Sequence, residues 1–285
     1  IPYVIAMNKA DLITVPENIP ENMIFVSARE NGNIHALKEK IAALVHSVPP
    51  ARELIADLVS PGDAVVLVTP IDSAAPKGRL ILPQQQTIRS LLDAGCIPVV
   101  TRETELARTL SLLREPPDLV VTDSQAFGMV SRIVPDSVHL TSFSILFARY
   151  KGDLRTAVLG AAALRRLKDG DTVLISEGCT HHRQCGDIGT EKLPRWVRQY
   201  TGRDIRFVFT SGGEFPENLS PYALIIHCGA CMLGEREMQS RLRRAAEQCI
   251  PVTNYGIAIA QIHGILDRAL RPFSALHAEW EKQQQ

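Results

Sequence analysis

Short apolar runs alternate with amphipathic stretches through most of the chain, and this alternation predicts α/β architecture with mainly parallel sheets. Residues 3–7 and 23–26 read as strands. Residues 33–46 read as a helix, because Ile34, Leu37, Ile41 and Leu44 fall on one stripe at helical spacing. "SVPPARE" then breaks the pattern, and its Pro-Pro pair marks a linker. A second series follows: strand "DAVVLVTP", a long loop, helix 84–93, strand "IPVVT", helix 104–113, strand "DLVVTD", helix 124–133 and strand "SVHLTSF". Residues 144–152 read as a passage to a third series. That series holds helix 154–167, strands "DTVLISEG", "IRFVF" and "YALIIH", and helices 234–249 and 256–270. Gly62-Asp63-Ala64-Val65-Val66 and Gly170-Asp171-Thr172-Val173-Leu174 resemble each other, and a common Gly-Asp turn before a strand explains the likeness more simply than a duplication.

Composition narrows the class. A chain of 285 residues, 45% of them hydrophobic, can bury several cores without staples. Lys+Arg and Asp+Glu both number 31, so the net charge of zero gives no case for a nucleic-acid or membrane-surface partner. Apolar runs such as "AVVLV" are too short to span a bilayer. The start, "IPYVIAMNKADL", has neither a basic leader nor an initiator Met, which suggests a cytoplasmic protein and a sequence beginning inside a longer one. Six cysteines in a chain this long are no disulfide scaffold; their clustering suggests reduced thiolates acting as metal ligands or core residues.

Near the start, Asn8-Lys9-Ala10-Asp11 follows one strand and Ser27-Ala28 ends the next. A fixed carboxylate can accept both N–H donors on the edge of guanine, which adenine lacks. The pair looks like the guanine-reading end of a GTPase domain. The resemblance implies that Asp11 reads the base, Asn8 and Lys9 shape its pocket, and the Ser27–Ala28 backbone meets the base oxygen. The phosphate-cradling loop Gly-x4-Gly-Lys-[Ser/Thr] is absent from these residues. The chain alone is therefore expected not to hydrolyse GTP, an activity that needs Mg²⁺ as well and is expected of the intact protein.

The densest chemistry lies near the other end. "EGCTHHRQCGD" follows the strand "TVLIS", and His227-Cys228-Gly229-Ala230-Cys231 follows "ALII". In a parallel sheet both loops leave the carboxyl edge, where α/β folds build their sites. The combined pattern is Cys179-x-His181, a long gap, then His227-Cys228-x-x-Cys231. Thiolates and imidazoles on short loops suit Zn²⁺ or an iron–sulfur cluster; structural zinc more often takes two Cys pairs, and only one is present. Cys96 and Cys249 sit in apolar patterns and are expected in the core. Arg183, Lys192 and Arg195 are equally readable as neutralising an anionic group or as solvated charges, and Arg241-Leu-Arg-Arg as the exposed face of a helix.

Together with "CTHH…DIG…KLPRW" and "GDAVVLVTPIDSAAPKGRLILPQQQTIRSLLDAG", this motif resembles the HydF family of [FeFe]-hydrogenase maturation GTPases over essentially the whole chain. The resemblance implies three parts: residues 1–48 as the remnant of a P-loop GTPase domain, 59–142 as an α/β dimerisation domain and 150–285 as an α/β cluster domain. It implies that Cys179, Cys228 and Cys231 hold a [4Fe–4S] cluster, with His227 or His181 as candidates for an exchangeable fourth ligand. It also implies a homodimeric scaffold that receives a di-iron precursor of the H-cluster from two radical-SAM maturases and delivers it to apo-[FeFe]-hydrogenase. Cys185, outside the motif, could close the site as a fourth thiolate, although the three-thiolate set is complete without it. Radical-SAM catalysis by this chain is disfavoured, because no Cys-x3-Cys-x-x-Cys run occurs. A zinc-stabilised regulatory GTP-binding protein is the alternative reading.

Overall fold

The computed structural model describes residues 3–45, 52–71, 80–178, 187–230 and 232–284. The chain forms two compact units, Ile1–Ala51 and Arg52–Gln285. In the first, β1 (Ile5–Met7) and β2 (Met23–Phe25) pair in parallel, with Ile5 opposite Met23, and α1 (Ile34–Val45) follows. Ile24, Phe25 and Val26 are buried.

The second unit holds two four-stranded parallel sheets. The first half runs β3 (Ala64–Val68), α2 (Leu82–Asp93), β4 (Ile97–Thr101), α3 (Leu106–Leu112), β5 (Leu119–Thr122), α4 (Phe127–Ile133), β6 (His139–Ser142), α5 (Phe143–Lys151) and α6 (Leu154–Ala161). The second half runs β7 (Thr172–Ser176), α7 (Leu193–Thr201), β8 (Arg206–Thr210), β9 (Leu224–His227), α8 (Glu235–Glu247), β10 (Val252–Asn254), α9 (Tyr255–Ile262), α10 (Leu266–Leu270) and α11 (Ser274–Gln284). Val65–Val68 are fully buried, as expected of a central parallel strand covered on both faces.

The sheet orders are β4-β3-β5-β6 and β8-β7-β9-β10, so both halves place their strands in the same sequence of neighbours. Each opening strand follows a glycine with positive φ, Gly62 at 95° and Gly170 at 86°. In both turns the next aspartate accepts a backbone N–H three residues back: Asp63 from Ser60 and Asp171 from Lys168, each at 2.8 Å. Each last strand ends in a helix cap, Ser142 accepting from the Ile145 amide and Asn254 from the Ile257 amide. The halves also exchange cover: α6 lies against β10 and α10 against β6. Gly160 of α6 meets the Val252 backbone so closely that any Cβ there would overlap the carbonyl oxygen. Reciprocal contact between equivalent elements is what an approximate two-fold axis produces. The Gly-Asp likeness thus belongs to a plan shared by both halves, more than the common turn the sequence suggested.

Other differences are local. The stretch expected to be a passage, 144–152, lies almost wholly in helix α5, which ends at Lys151. The stretch 256–270 is broken into α9 and α10 at Gly264, whose φ is 70°. Strand β10 is only three residues long, too short for periodicity to reveal. Helix α7 was not among the elements expected from the sequence; Pro194 falls in its first turn, where proline is favoured. Among the described residues no helix is long and apolar enough to cross a membrane.

Candidate metal centre

Strands β7 and β9 are neighbours, with Ser176 opposite His227, so the loops that follow them leave the same sheet edge side by side. The Cys228 amide donates to the Ser176 carbonyl (2.9 Å), and the Gly178 amide donates to Cys228 Sγ (3.0 Å). Ala230, held at a φ of 53°, turns its own amide toward the same sulfur (3.4 Å). Gly178 immediately precedes Cys179 and Ala230 immediately precedes Cys231. The described ends of both segments, Gly178 and Ala230, thus lie beside Cys228. Cys179, His181, Cys185 and Cys231, with Arg183, lie outside the described residues. A Cβ on Gly178 would stand 2.6 Å from Leu233 Cγ, so this approach needs glycine. Two backbone amides thus donate to one sulfur.

His227 is 1% exposed, and both of its ring nitrogens are engaged. Arg241 Nη1 lies 3.1 Å from Nε2, and the Cys228 carbonyl lies 2.9 Å from Nδ1. A guanidinium can only donate, so Nε2 accepts and the ring proton sits on Nδ1, facing the carbonyl. Burial pushes the imidazole down to about 4; the bond to Cys228 opposes this and the Arg241 charge adds to it. Neutral His227 in this arrangement has no free lone pair for a metal, and it braces the carbonyl of Cys228.

Arg241 overturns the expectation of an exposed helix face. It is 2% exposed, and its guanidinium donates to Gly212 O (2.8 Å) and to Glu237 Oε1 (2.9 Å), as well as to His227. The Phe215 ring lies 5.1 Å beneath it. Helix α8 turns Arg241 inward together with Met238 and Ala245, while Glu237, one turn earlier, stays half in water. The glycine turn after β8, which no spacing marked as part of the site, supplies the carbonyl. On the other side, buried Glu177 accepts from Tyr255 Oη (3.2 Å), and burial followed by that carboxylate charge pushes the phenol well above its usual range.

In the first unit, the predicted base-reading residues come together at the carboxyl ends of β1 and β2. Asn8 Oδ1 accepts from the amides of Lys9 (2.8 Å) and Ala28 (3.1 Å), and Ser27 Oγ donates to Asp11 Oδ1 (2.6 Å). Lys9 sits in the left-handed region at a φ of 68°. One asparagine thereby fastens the first loop to the second.

Two family models match the chain. The hydrogen maturase F dimerization domain matches residues 54–152, and the hydrogen maturase F tetramerization domain matches residues 155–272. The chain belongs to the hydrogen maturase F family. Membership places it in hydrogenase maturation, and both matched domains are named for self-association, so the chain oligomerises. The second match adds tetramerisation to the homodimer that the sequence suggested. No curated protein matches the chain.

In this hydrogen maturase F chain the cysteine loop is also held from the dimerization-domain side. Lys151, the last residue of α5, donates from Nζ to Ala230 O (3.3 Å) and Leu233 O (3.2 Å). Gln239 of α8 returns a bond to Gly152 O (3.1 Å). A cavity of about 30 Å³ lies between these residues, His227, Cys228 and Thr253, room for about one water. Thr253 Oγ1, buried and unpartnered among the described residues, is the group such a water would serve. Lys192 donates to Gln125 (3.1 Å) on an exposed surface. Cys96 is buried as expected, but Cys249 is exposed: it follows α8 in the left-handed conformation (φ 56°) common where helices end.

Proposed function

We propose that this chain is a scaffold and carrier in [FeFe]-hydrogenase maturation, using Cys179, Cys228 and Cys231 to hold a [4Fe–4S] cluster. The observation that supports this reading is at Cys228 Sγ, which accepts from the amide of Gly178, the residue before Cys179, and from that of Ala230, the residue before Cys231. The chemistry of the donor set fits the group: three cysteines in the motif, and at Cys228 two amide donors of the kind that tune cluster sulfurs. When bound, such a cluster supplies one iron whose ligand can be exchanged. His227, tied to Arg241 and Cys228, shapes the loop instead of ligating, which leaves His181 or a ligand from solution for that position. The buried Arg241 and the Lys151 ammonium place two positive charges near the loop, which suits an anionic cargo.

The cargo in this reading is a di-iron precursor of the H-cluster, made by the radical-SAM maturases and passed to apo-[FeFe]-hydrogenase. Asn8, Lys9, Asp11, Ser27 and Ala28 hold the guanine of GTP, and the nucleotide, with Mg²⁺ in the intact protein, governs exchange of partners. A cytoplasmic location suits these reduced thiolates.

The test is transfer. Protein reconstituted anaerobically with iron and sulfide, loaded by the maturases and mixed with apo-hydrogenase should restore hydrogen evolution, and the Cys228→Ser variant should not. Full restoration by Cys228→Ser would overturn the carrier role.

A further inference from the structure

The last two helices carry polar side chains that neither the cysteine loops nor the base-reading loops use. Helix α11 lies beyond residue 272, where the family match ends. Its apolar side is fixed by Trp280, which is 3% exposed in the core shared by both halves. Arg155 of α6 holds the same helix from the side, donating from Nε to Glu279 Oε2 (2.8 Å). His277 and Glu281, four residues apart and so on one face of the helix, look across to α10.

Asp267 of α10 meets them there. Its Oδ1 lies 2.9 Å from His277 Nε2, and one ligand atom from each of Asp267, His277 and Glu281 lies within 4.8 Å of both others. The imidazole is largely buried, while both carboxylates are exposed. Arg271 approaches only the other oxygen of Asp267, Oδ2, at 3.6 Å, and Glu281 pairs with no cation among the described residues. Two carboxylates this close repel each other, and a cation between them removes the repulsion.

We propose that Asp267, His277 and Glu281 bind a zinc ion that straps α11 to α10. One imidazole and two carboxylates make a three-ligand zinc set, and at the surface water fills the fourth position. The imidazole nitrogen selects zinc over calcium and magnesium, which prefer oxygen throughout. Zinc bonds of about 2.0–2.2 Å set tetrahedral ligand atoms about 3.4 Å apart. The His277–Asp267 pair therefore opens slightly, and the exposed Glu281 carboxylate closes in by rotating its side chain. Without metal, a carboxylate can only accept, so the imidazole proton sits on Nε2 and faces Asp267. On binding, that proton passes to Nδ1 and the Nε2 lone pair goes to the ion. The site shares no residue with the cysteine loops, so it stands apart from the cluster reading.

Zinc binding by the whole chain, first stripped with a chelator, tests the site. Cysteines take zinc as well, so the first reading is a difference: after zinc loading and desalting, wild type should retain one zinc more per chain than His277→Ala. The second reading uses a chain with Cys179→Ser, Cys228→Ser and Cys231→Ser together, titrated with zinc chloride in a calorimeter. Adding His277→Ala or Glu281→Gln should weaken the α10–α11 site by at least roughly tenfold, the loss that even an outer-shell partner causes. Zinc should also slow hydrogen exchange at the α11 amides in the triple-serine chain, and leave it unchanged once His277→Ala is added. Equal zinc content in wild type and His277→Ala, or an affinity indifferent to Glu281→Gln, would overturn the proposal and leave a plain His–Asp ion pair. If the triple-serine chain fails to fold, the zinc difference between wild type and His277→Ala decides alone.

Discussion

Arg241→Met removes the donors of a buried cation and keeps most of its length. A buried acceptor, His227 Nε2, and a part-buried one, Gly212 O, then lose their partner, while half-exposed Glu237 returns to water. An orphaned buried acceptor costs about 1–3 kcal/mol and a part-buried one less, so the two together cost about 2–5 kcal/mol. Methionine retains contact with Phe215 and ends the desolvation cost of the guanidinium, which offsets part of this. The expected net loss is about 2–4 kcal/mol. A unit of this size shifts by about 2–4 °C per kcal/mol, giving a fall in Tm of roughly 4–16 °C in calorimetry of metal-free protein. Arg241→Lys restores one charge but not the geometry, and should fall between the two. A Tm for Arg241→Met within a degree of wild type would refute the claim that Arg241 holds His227 and the glycine turn together.

Three further outcomes follow from individual contacts. Lys151→Met should speed iron loss from reconstituted protein to a chelator by several-fold, because the Ala230 and Leu233 carbonyls lose their shared donor; an unchanged release rate would remove Lys151 from the account. Gly160→Ala should destabilise the second unit by about 3 kcal/mol or more, since the added methyl meets the Val252 carbonyl, and urea unfolding reads this directly. Asn8→Ala should cost the first unit about 1 kcal/mol and raise hydrogen exchange at the Ala28 amide, which loses its acceptor; protection equal to wild type would show that Asn8 does not fasten the two loops.

The α/β alternation was legible because buried parallel strands such as Ala64–Val68 are short apolar runs and helices such as α1 carry a clear stripe. The shared carboxyl edge of β7 and β9 followed from the general rule for parallel sheets, whereas their pairing, with Ser176 opposite His227, is visible only in the structure. What stayed hidden was tertiary. Arg241 carries no local sign of burial, because its inward turn depends on Phe215, Gly212 and His227, which lie elsewhere in the chain. Lys151 holds the cysteine loop from the other half of the unit, a contact no motif spacing encodes. The shared plan of the two halves rests on strand order and exchanged helices, and only the Gly-Asp turns wrote it into the sequence. The contacts of His227 were hidden too: spacing beside Cys228 makes it a candidate ligand, and says nothing of the hydrogen bonds that engage Nδ1 and Nε2.

The central claim, a three-thiolate cluster site on the β7–β9 edge, is tested most directly by Mössbauer spectroscopy and iron and zinc analysis after anaerobic reconstitution with ⁵⁷Fe and sulfide. The account predicts about four irons per chain with the signature of a [4Fe–4S] cluster, lost in Cys179→Ser, Cys228→Ser and Cys231→Ser and kept in Cys185→Ser. A colourless protein holding one zinc, or a cluster that survives Cys228→Ser, would contradict it.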